Sequence, residues 1–174
     1  MNNFEFYCPT KVVFGKGTIA KLEDLIDKNQ KVLMIYGGGS IKKNGVYDQV
    51  KDALKNHNVV EFSGIEPNPT YETCMQAVEI VKKENINFLL AVGGGSTLDG
   101  TKFIAAAAKY QGDDVYEKVK IDYAFEEALP LGSVITLPAT GSEMNSGAVI
   151  SKKETQEKFA FHSPAVFPKF SIID

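Results

Sequence analysis

Two apolar runs, Val32-Leu33-Met34-Ile35-Tyr36 and Phe88-Leu89-Leu90-Ala91-Val92, stop at the same four residues, Gly-Gly-Gly-Ser, at positions 37–40 and 93–96. An uninterrupted apolar run of this length suits a strand covered on both faces, the usual state of a strand in a parallel sheet. Three residues without side chains end such a strand and let the backbone come close to a bulky ligand. After Ser96 the stretch Thr97 to Lys109 has a helical pattern. The second glycine run therefore sits where a strand turns into a helix, and the free N–H groups and dipole of a helix start favour an anion.

The same alternation runs along the rest of the chain. Val12-Val13-Phe14 reads as a strand, followed by an amphipathic stretch from Thr18 to Ile26. Val46, Val50, Ala53 and Leu54 mark a helix face, and Val59 to Phe62 a short strand. Pro67-Asn68-Pro69 blocks helix, and Thr70 is placed to cap the helix that carries Cys74, Ala77, Val78 and Val81 on its apolar side. Gln111 to Glu127 is polar and reads as a surface excursion with Val115 and Val119 as weak helical anchors. Leu131 to Leu137, Ala148 to Ser151, Lys158 to Phe161 and Phe170 to Ile173 are strand-like, with Pro138 to Glu143 a loop or helix start. Repeated strand-helix units predict one α/β domain, a doubly wound parallel sheet with helices on both faces. Ligands bind at the carboxyl ends of strands in such sheets, so both glycine turns are expected to border one crevice.

Charge and cysteine usage narrow the function. A net charge of −3 with no run of Lys or Arg longer than two residues gives no electrostatic footprint for nucleic acid. No apolar segment reaches the roughly 20 residues of a membrane span, and Met1 to Glu5 lacks the pattern of a signal peptide. The expected location is cytoplasmic. Cys8 and Cys74 form neither a disulfide framework nor a zinc motif; Cys74 reads as a core residue. His57 falls in a polar helix end and reads as solvated, and His162 as structural or solvent-facing.

Ser96 with Asp99 three residues later is a variant of the capping box, and Lys102 is either an intrahelical partner of Asp99 or a ligand contact. Capping alone does not call for three glycines, each costing backbone entropy, so Gly94, Gly95 and Ser96 are read as a phosphate site. The first turn offers Gly37, Gly38, Gly39 and Ser40 followed by Lys42 and Lys43. A site selective for a plain ribose usually presents a carboxylate there. Glycine N–H groups, a hydroxyl and lysines accept a 2′-phosphate instead, which favours NADP over NAD. Thr136, Thr140, Gly141, Ser142 and Glu143 cluster after another strand end and either wall a ribose or nicotinamide or serve in helix capping.

Five segments together resemble the iron-containing, or group III, alcohol dehydrogenases, especially their NADPH-dependent butanol dehydrogenase and aldehyde reductase branch. They are Pro9 to Gly17, Tyr36 to Gly45, Pro67-Asn68-Pro69, Gly93 to Ser96 with Asp99 and Lys102, and Thr140 to Met144. The resemblance covers essentially the whole chain. It implies a Rossmann-like, dehydroquinate synthase-like N-terminal domain over residues 1–174, with Gly93, Gly94, Gly95 and Ser96 at the pyrophosphate and Asp99 near the nicotinamide. It also implies Gly38 and Ser40 at the 2′-phosphate, with Gly37 and Gly39 among the cofactor-binding residues, and Asn68, Thr136, Thr140, Asn145, Val149 and Lys158 lining NADP(H). The implied activity is reversible hydride transfer between NADP(H) and an alcohol or aldehyde, with a divalent metal, iron or zinc, polarising the substrate oxygen. The family's metal ligands, one Asp and three His, belong to a helical C-terminal domain, and no residue here matches them. The chain therefore reads as the cofactor-binding part of a larger two-domain enzyme, inactive alone. A dimer through the N-terminal region is implied, for which Phe4, Phe6 and Tyr7 either supply an apolar edge or pack against this domain's own core. A three-glycine turn by itself also fits glycerol dehydrogenases and dehydroquinate synthases, and a free-standing nucleotide-binding module is the reading from another functional class.

Overall fold

The structure, a computed structural model, describes residues 3–174; Met1 and Asn2 of the N-terminal segment considered above lie outside them. Along the chain come β1 (Lys11–Phe14), a 3-10 turn (Thr18–Lys21) running into α1 (Leu22–Leu25), β2 (Lys31–Tyr36), α2 (Ser40–Lys43), α3 (Val46–Ala53) and β3 (Asn58–Ser63). Next are α4 (Tyr71–Glu84), β4 (Phe88–Gly94), α5 (Gly95–Lys109), α6 (Val115–Val119), β5 (Leu131–Leu137), β6 (Gly147–Lys152), β7 (Glu157–His162) and β8 (Phe170–Ile173). Six strands form one parallel sheet in the order β1-β8-β5-β4-β2-β3.

Alternation along the strands sorts the interior into two layers. Val32, Met34 and Tyr36 of β2 and Leu90 and Val92 of β4 face a core closed by Leu22, Ile26, Ile41, Val50 and Leu54. Leu33, Ile35, Leu89 and Ala91 point the other way, into a core closed by α4 and α5. The two strands are thus continuously apolar over Val32–Tyr36 and Phe88–Val92 because both of their faces are covered. The fold is the doubly wound, Rossmann-like sheet expected from the sequence.

Helix α5 is enclosed. It packs on β4 and β5 on one side and on α4 and β6 on the others, and every residue from Gly100 to Ala107 is buried. A helix surrounded in this way has no polar face to spare, which explains the run Phe103-Ile104-Ala105-Ala106-Ala107. Gly100 sets the spacing to α4: a Cβ there would lie 3.2 Å from Pro69 Cβ, 3.3 Å from Ile65 Cγ2 and 3.4 Å from Cys74 Sγ. Cys74 is buried, and burial pushes its thiol pKa up, as suits a packing residue. The Thr70 hydroxyl caps α4, accepting from Thr73 N–H at 3.3 Å.

Three expectations change. Of the strand-like pieces in the tail, only β8 enters the main sheet; β6 and β7 pair antiparallel as a separate hairpin that covers the outer side of α5 through Ala148, Ile150 and Phe161. The segment 111–127 is more than a surface excursion, because Tyr116, Val119 and Phe125 are buried. Asp114 caps α6 by accepting from the N–H groups of Tyr116 (2.9 Å) and Glu117 (3.2 Å), and Tyr116 packs edge-on against Tyr71 and Phe159. His57 is half-buried rather than solvated, with Nε2 2.9 Å from the Ile26 carbonyl. No helix among the described residues is long and apolar enough to cross a membrane.

Gly100→Val is expected to destabilise the protein by about 1–3 kcal/mol through overpacking. Urea unfolding checks this: the midpoint should fall while the m-value stays constant.

Candidate functional site

The chain reverses direction across the sheet between two neighbours. From β2 it moves outward to β3 through α2 and α3 on one face, then crosses back through α4 on the other face to β4, on the far side of β2. Loops leaving β2 and β4 therefore diverge to opposite faces and leave a crevice above their carboxyl ends. The two glycine turns are those loops. A cavity of about 430 Å³ is lined by Gly37, Gly38 and Ser40 from the first and by Gly94, Gly95 and Ser96 from the second, with Asp99, Leu137 and Thr140. It shares Gly37 and Gly38 with a neighbouring cavity of about 430 Å³ whose wall includes Gly39, Lys42 and Lys43. At its other end it shares Asp99 and Thr140 with one of about 290 Å³ bordered by Ser142, Asn145, Gly147, Val149 and His162. Together the three make one elongated groove.

The six glycines divide by what the fold requires of them. Gly93 has φ +157°, and a Cβ on it would lie 2.7 Å from Thr97 Oγ1. A Cβ on Gly37 would lie 3.1 Å from the Ile65 carbonyl oxygen, and Gly39 has φ +98°. Internal packing and backbone conformation account for these three. Gly38 and Gly94 would place a Cβ in open space, and Gly95 would bring one only to ordinary contact with Thr140. Nothing within the chain demands glycine at those three, and all three line the groove.

Helix α5 begins at Gly95, two residues earlier than the pattern suggested, with Gly94 as N-cap and no side-chain cap. The capping box is not formed. Ser96 lies inside the first turn, and Asp99 turns away from the helix start: Oδ1 accepts from Ser142 Oγ at 2.7 Å and Oδ2 from Val149 N–H at 3.0 Å. The first-turn N–H groups of α5 are left facing the groove, the arrangement that receives an anion.

Asp99 is held by neutral donors, whereas Glu61 of β3 and Glu66, which lines the central cavity, are held by cations. Glu61 accepts from Lys51 at 2.8 Å and from Tyr47 at 3.0 Å; burial raises its pKa, but these bonds prevail and hold it below the usual range. Glu66 is tied to Lys153 at 2.7 Å and Thr73 at 2.8 Å. Lys42 lies over the rings of Tyr36 and Tyr47, 5.4 and 4.9 Å from their centroids. Lys42 and Lys43 are exposed and stand at the first glycine turn without a carboxylate bonded to either.

The other residues named from the sequence are spread unevenly. Thr140, Asn145 and Val149 line the groove. Asn68, at φ 62°, and Lys158 meet each other, with Lys158 Nζ donating to Asn68 Oδ1 at 3.0 Å; this bond ties the hairpin to the loop before α4. Thr136 is exposed near the end of β5, skipped by a register shift that pairs Gly93 with Ile135 and Gly94 with Leu137. His162 borders the smallest cavity and faces Asp122, Nδ1 to Oδ1 3.0 Å. Among the described residues no three His, Cys, Asp or Glu side chains gather as metal ligands. Phe4, Phe6 and Tyr7 are 77%, 82% and 83% exposed and do not pack on this domain's core.

Lys102 is the residue whose place the sequence concealed. It is fully buried and pairs with no carboxylate on its own helix. Its Nζ lies 2.8 Å from the Ser142 carbonyl, 3.0 Å from Ser142 Oγ, 2.9 Å from the Asn145 carbonyl, 3.0 Å from Asn145 Oδ1 and 2.8 Å from the Gly147 carbonyl. Burial pushes its pKa down to about 8, with Asp99 and Glu143 opposing the fall. A lone cation within Thr101-Lys102-Phe103-Ile104-Ala105 was the available signal, since such a residue on an enclosed helix must find oxygen partners.

Residues 9–174 match the family described as iron-containing alcohol dehydrogenase. The chain is 56% identical, over its whole length, to 46% of the NADPH-dependent aldehyde reductase YqhD of Escherichia coli. Over its whole length it is also 52% identical to 46% of a probable NADH-dependent butanol dehydrogenase of Bacillus subtilis. The crystal structure of the Escherichia coli protein superposes with a TM-score of 0.96, covering 99% of this chain and 45% of that one, at 56% identity. The chain thus spans about half the length of these relatives.

The burial of Lys102 has a consequence for stability. Between pH about 8 and 10.5 the unfolded chain keeps the proton that the folded chain sheds. Stability contributed by this residue therefore rises with pH across that window, by up to about 1.4 kcal/mol per pH unit. Lys102→Met removes the slope. Urea unfolding of both proteins at two pH values inside the window should show the wild type gaining on the variant as pH rises.

Proposed function

The chain belongs to the iron-containing alcohol dehydrogenase family, and from that premise we propose that its groove binds NADP(H) for hydride transfer to or from an alcohol or aldehyde. The observation that carries the reading is the trio Gly38, Gly94 and Gly95, which the fold leaves free to be other residues and which all face one groove. Gly94, Gly95 and Ser96 receive the pyrophosphate at the uncapped start of α5, above the turn shaped by Gly93. Gly38 and Ser40, with Lys42 and Lys43 beside them, receive the 2′-phosphate, and Gly37 and Gly39 shape that turn. Asp99, Thr140, Asn145 and Val149 border the nicotinamide end, with Thr136 at the rim. The Asn68–Lys158 bond closes the flank.

When bound, the coenzyme supplies the hydride. The chain's own contribution is to orient it: phosphates held by backbone N–H groups fix one end, and the walls of the smallest cavity fix the other. A divalent metal does not fit the residues described, among which no three His, Cys, Asp or Glu side chains gather. We assign the metal, iron or zinc, and the alcohol or aldehyde pocket to a second domain, with residues 1–174 as the nucleotide-binding N-terminal domain. The exposed Phe4, Phe6 and Tyr7 beside the edge strand β1 support a homodimer. The two free cysteines suit the reducing cytoplasm.

Fluorescence titration with NADPH and NADH tests the assignment. NADPH should bind the more tightly, and replacing Lys42 and Lys43 with Ala should weaken NADPH about tenfold while leaving NADH unchanged. Equal affinity for the two coenzymes in the wild type would sink the 2′-phosphate site. Gly94→Asp separates ligand binding from folding. The backbone at Gly94, φ −83° and ψ −175°, suits a capping Asp, so thermal stability should hold or rise, whereas NADPH affinity should fall by about a hundredfold through like-charge repulsion.

A further inference from the structure

The 290 Å³ cavity at one end of the groove is walled by a segment, Ser142 to Gly147, that has little regular structure to hold it. A single 3-10 turn closes Met144 N–H onto Gly141, and β6 starts only at Gly147. Ser171 Oγ donates to the Glu143 carbonyl at 2.7 Å and Ser163 N–H to the Ser146 carbonyl at 3.0 Å, and Lys102 ties down the residues these bonds leave. Three N–H protons are shared among five oxygens from Ser142, Asn145 and Gly147, all within 2.8–3.0 Å. The effect spreads one shell outward: Ser142 Oγ, which accepts from Lys102, donates to Asp99 Oδ1, and Asp99 Oδ2 accepts from Val149 N–H. Asn145 Oδ1 also accepts from Gly147 N–H at 3.0 Å. Ser142, Asn145, Gly147, Asp99 and Val149 all border that cavity.

We propose that Lys102 is the positioning residue of the nicotinamide end of the groove, its buried ammonium setting the wall from Ser142 to Val149 without touching the coenzyme. The proposal rests on the coenzyme reading above. The chain of bonds from Lys102 stops at Asp99 and Val149; Asp99 reaches the central cavity that Gly38 and Ser40 also line, while Lys42 and Lys43 border only the cavity beyond it. Lys102 therefore acts on one end only. Without the ammonium, five oxygens would face one another across a dry pocket and the segment would open to find water.

Binding of NADPH and of 2′,5′-ADP, which lacks the nicotinamide half, reads the two ends separately in the complete natural polypeptide. Lys102→Met should weaken NADPH at least tenfold and leave 2′,5′-ADP within twofold. Ser142→Ala, which removes the hydroxyl that links Lys102 to Asp99 and leaves the Ser142 carbonyl on the ammonium, should weaken NADPH about threefold with the same 2′,5′-ADP affinity, and it keeps the question answerable if Lys102→Met does not fold. Equal weakening of both ligands, or unchanged NADPH binding in both variants, would overturn the proposal. Amide hydrogen exchange decides independently of any nucleotide: residues 142–149 should exchange faster in the variants while residues 37–40 do not, and unchanged exchange at 142–149 would overturn it. A wild type that binds neither ligand would refute the coenzyme reading, with the exchange result still deciding the role of Lys102.

Discussion

Enclosure of α5 is the constraint from which the rest follows. A helix pressed between a parallel sheet, a second helix and a hairpin can be apolar over most of its surface, and its start must lie at the end of the strand that feeds it. That places uncapped N–H groups at the floor of a crevice. Gly93 and Gly100 make the placement possible, one by letting the backbone turn sharply over Thr97, the other by letting α4 approach. The polar residues of α5 near that start, Asp99 and Lys102, are then forced inward, where they organise the segment after β5 rather than pairing with each other.

This gives the two ends of the groove different characters. At the β2 turn the walls are backbone and exposed cations: glycines, a serine, and lysines at the surface. At the other end the walls are a hydrogen-bonded network around one buried ammonium. The first suits a charged group recognised by electrostatics, the second a planar or sugar group recognised by shape and by fixed donors and acceptors. On the proposed coenzyme reading, binding energy collected at the phosphates would hold the reacting end in place.

Much of the site was legible because glycine runs and strand ends are local signals. Both turns were found, and the crevice between them followed from the parallel sheet. Ser96 and Asp99 also spell a helix-start pattern, S-x-x-D, and only the backbone shows that the cap falls at Gly94. Lys102 misled because three-residue spacing to Asp99 suggests an ion pair on any exposed helix; enclosure by β6 redirects it. Tyr116 and Phe125 sit in a stretch too polar on average to announce buried residues, and the β6–β7 hairpin looks like sheet strands until its partner surface is known.

The amino-acid order by itself determined the layer architecture and the position of the glycine turns, because continuous apolar runs, glycine triplets and helix periodicity act over a few residues. Only the tertiary structure decided which glycines the fold consumes and which it leaves for a ligand, and which oxygens surround Lys102. The oxygens around Lys102 come from positions 40 or more residues away, and contact at that range is set by packing rather than by local sequence.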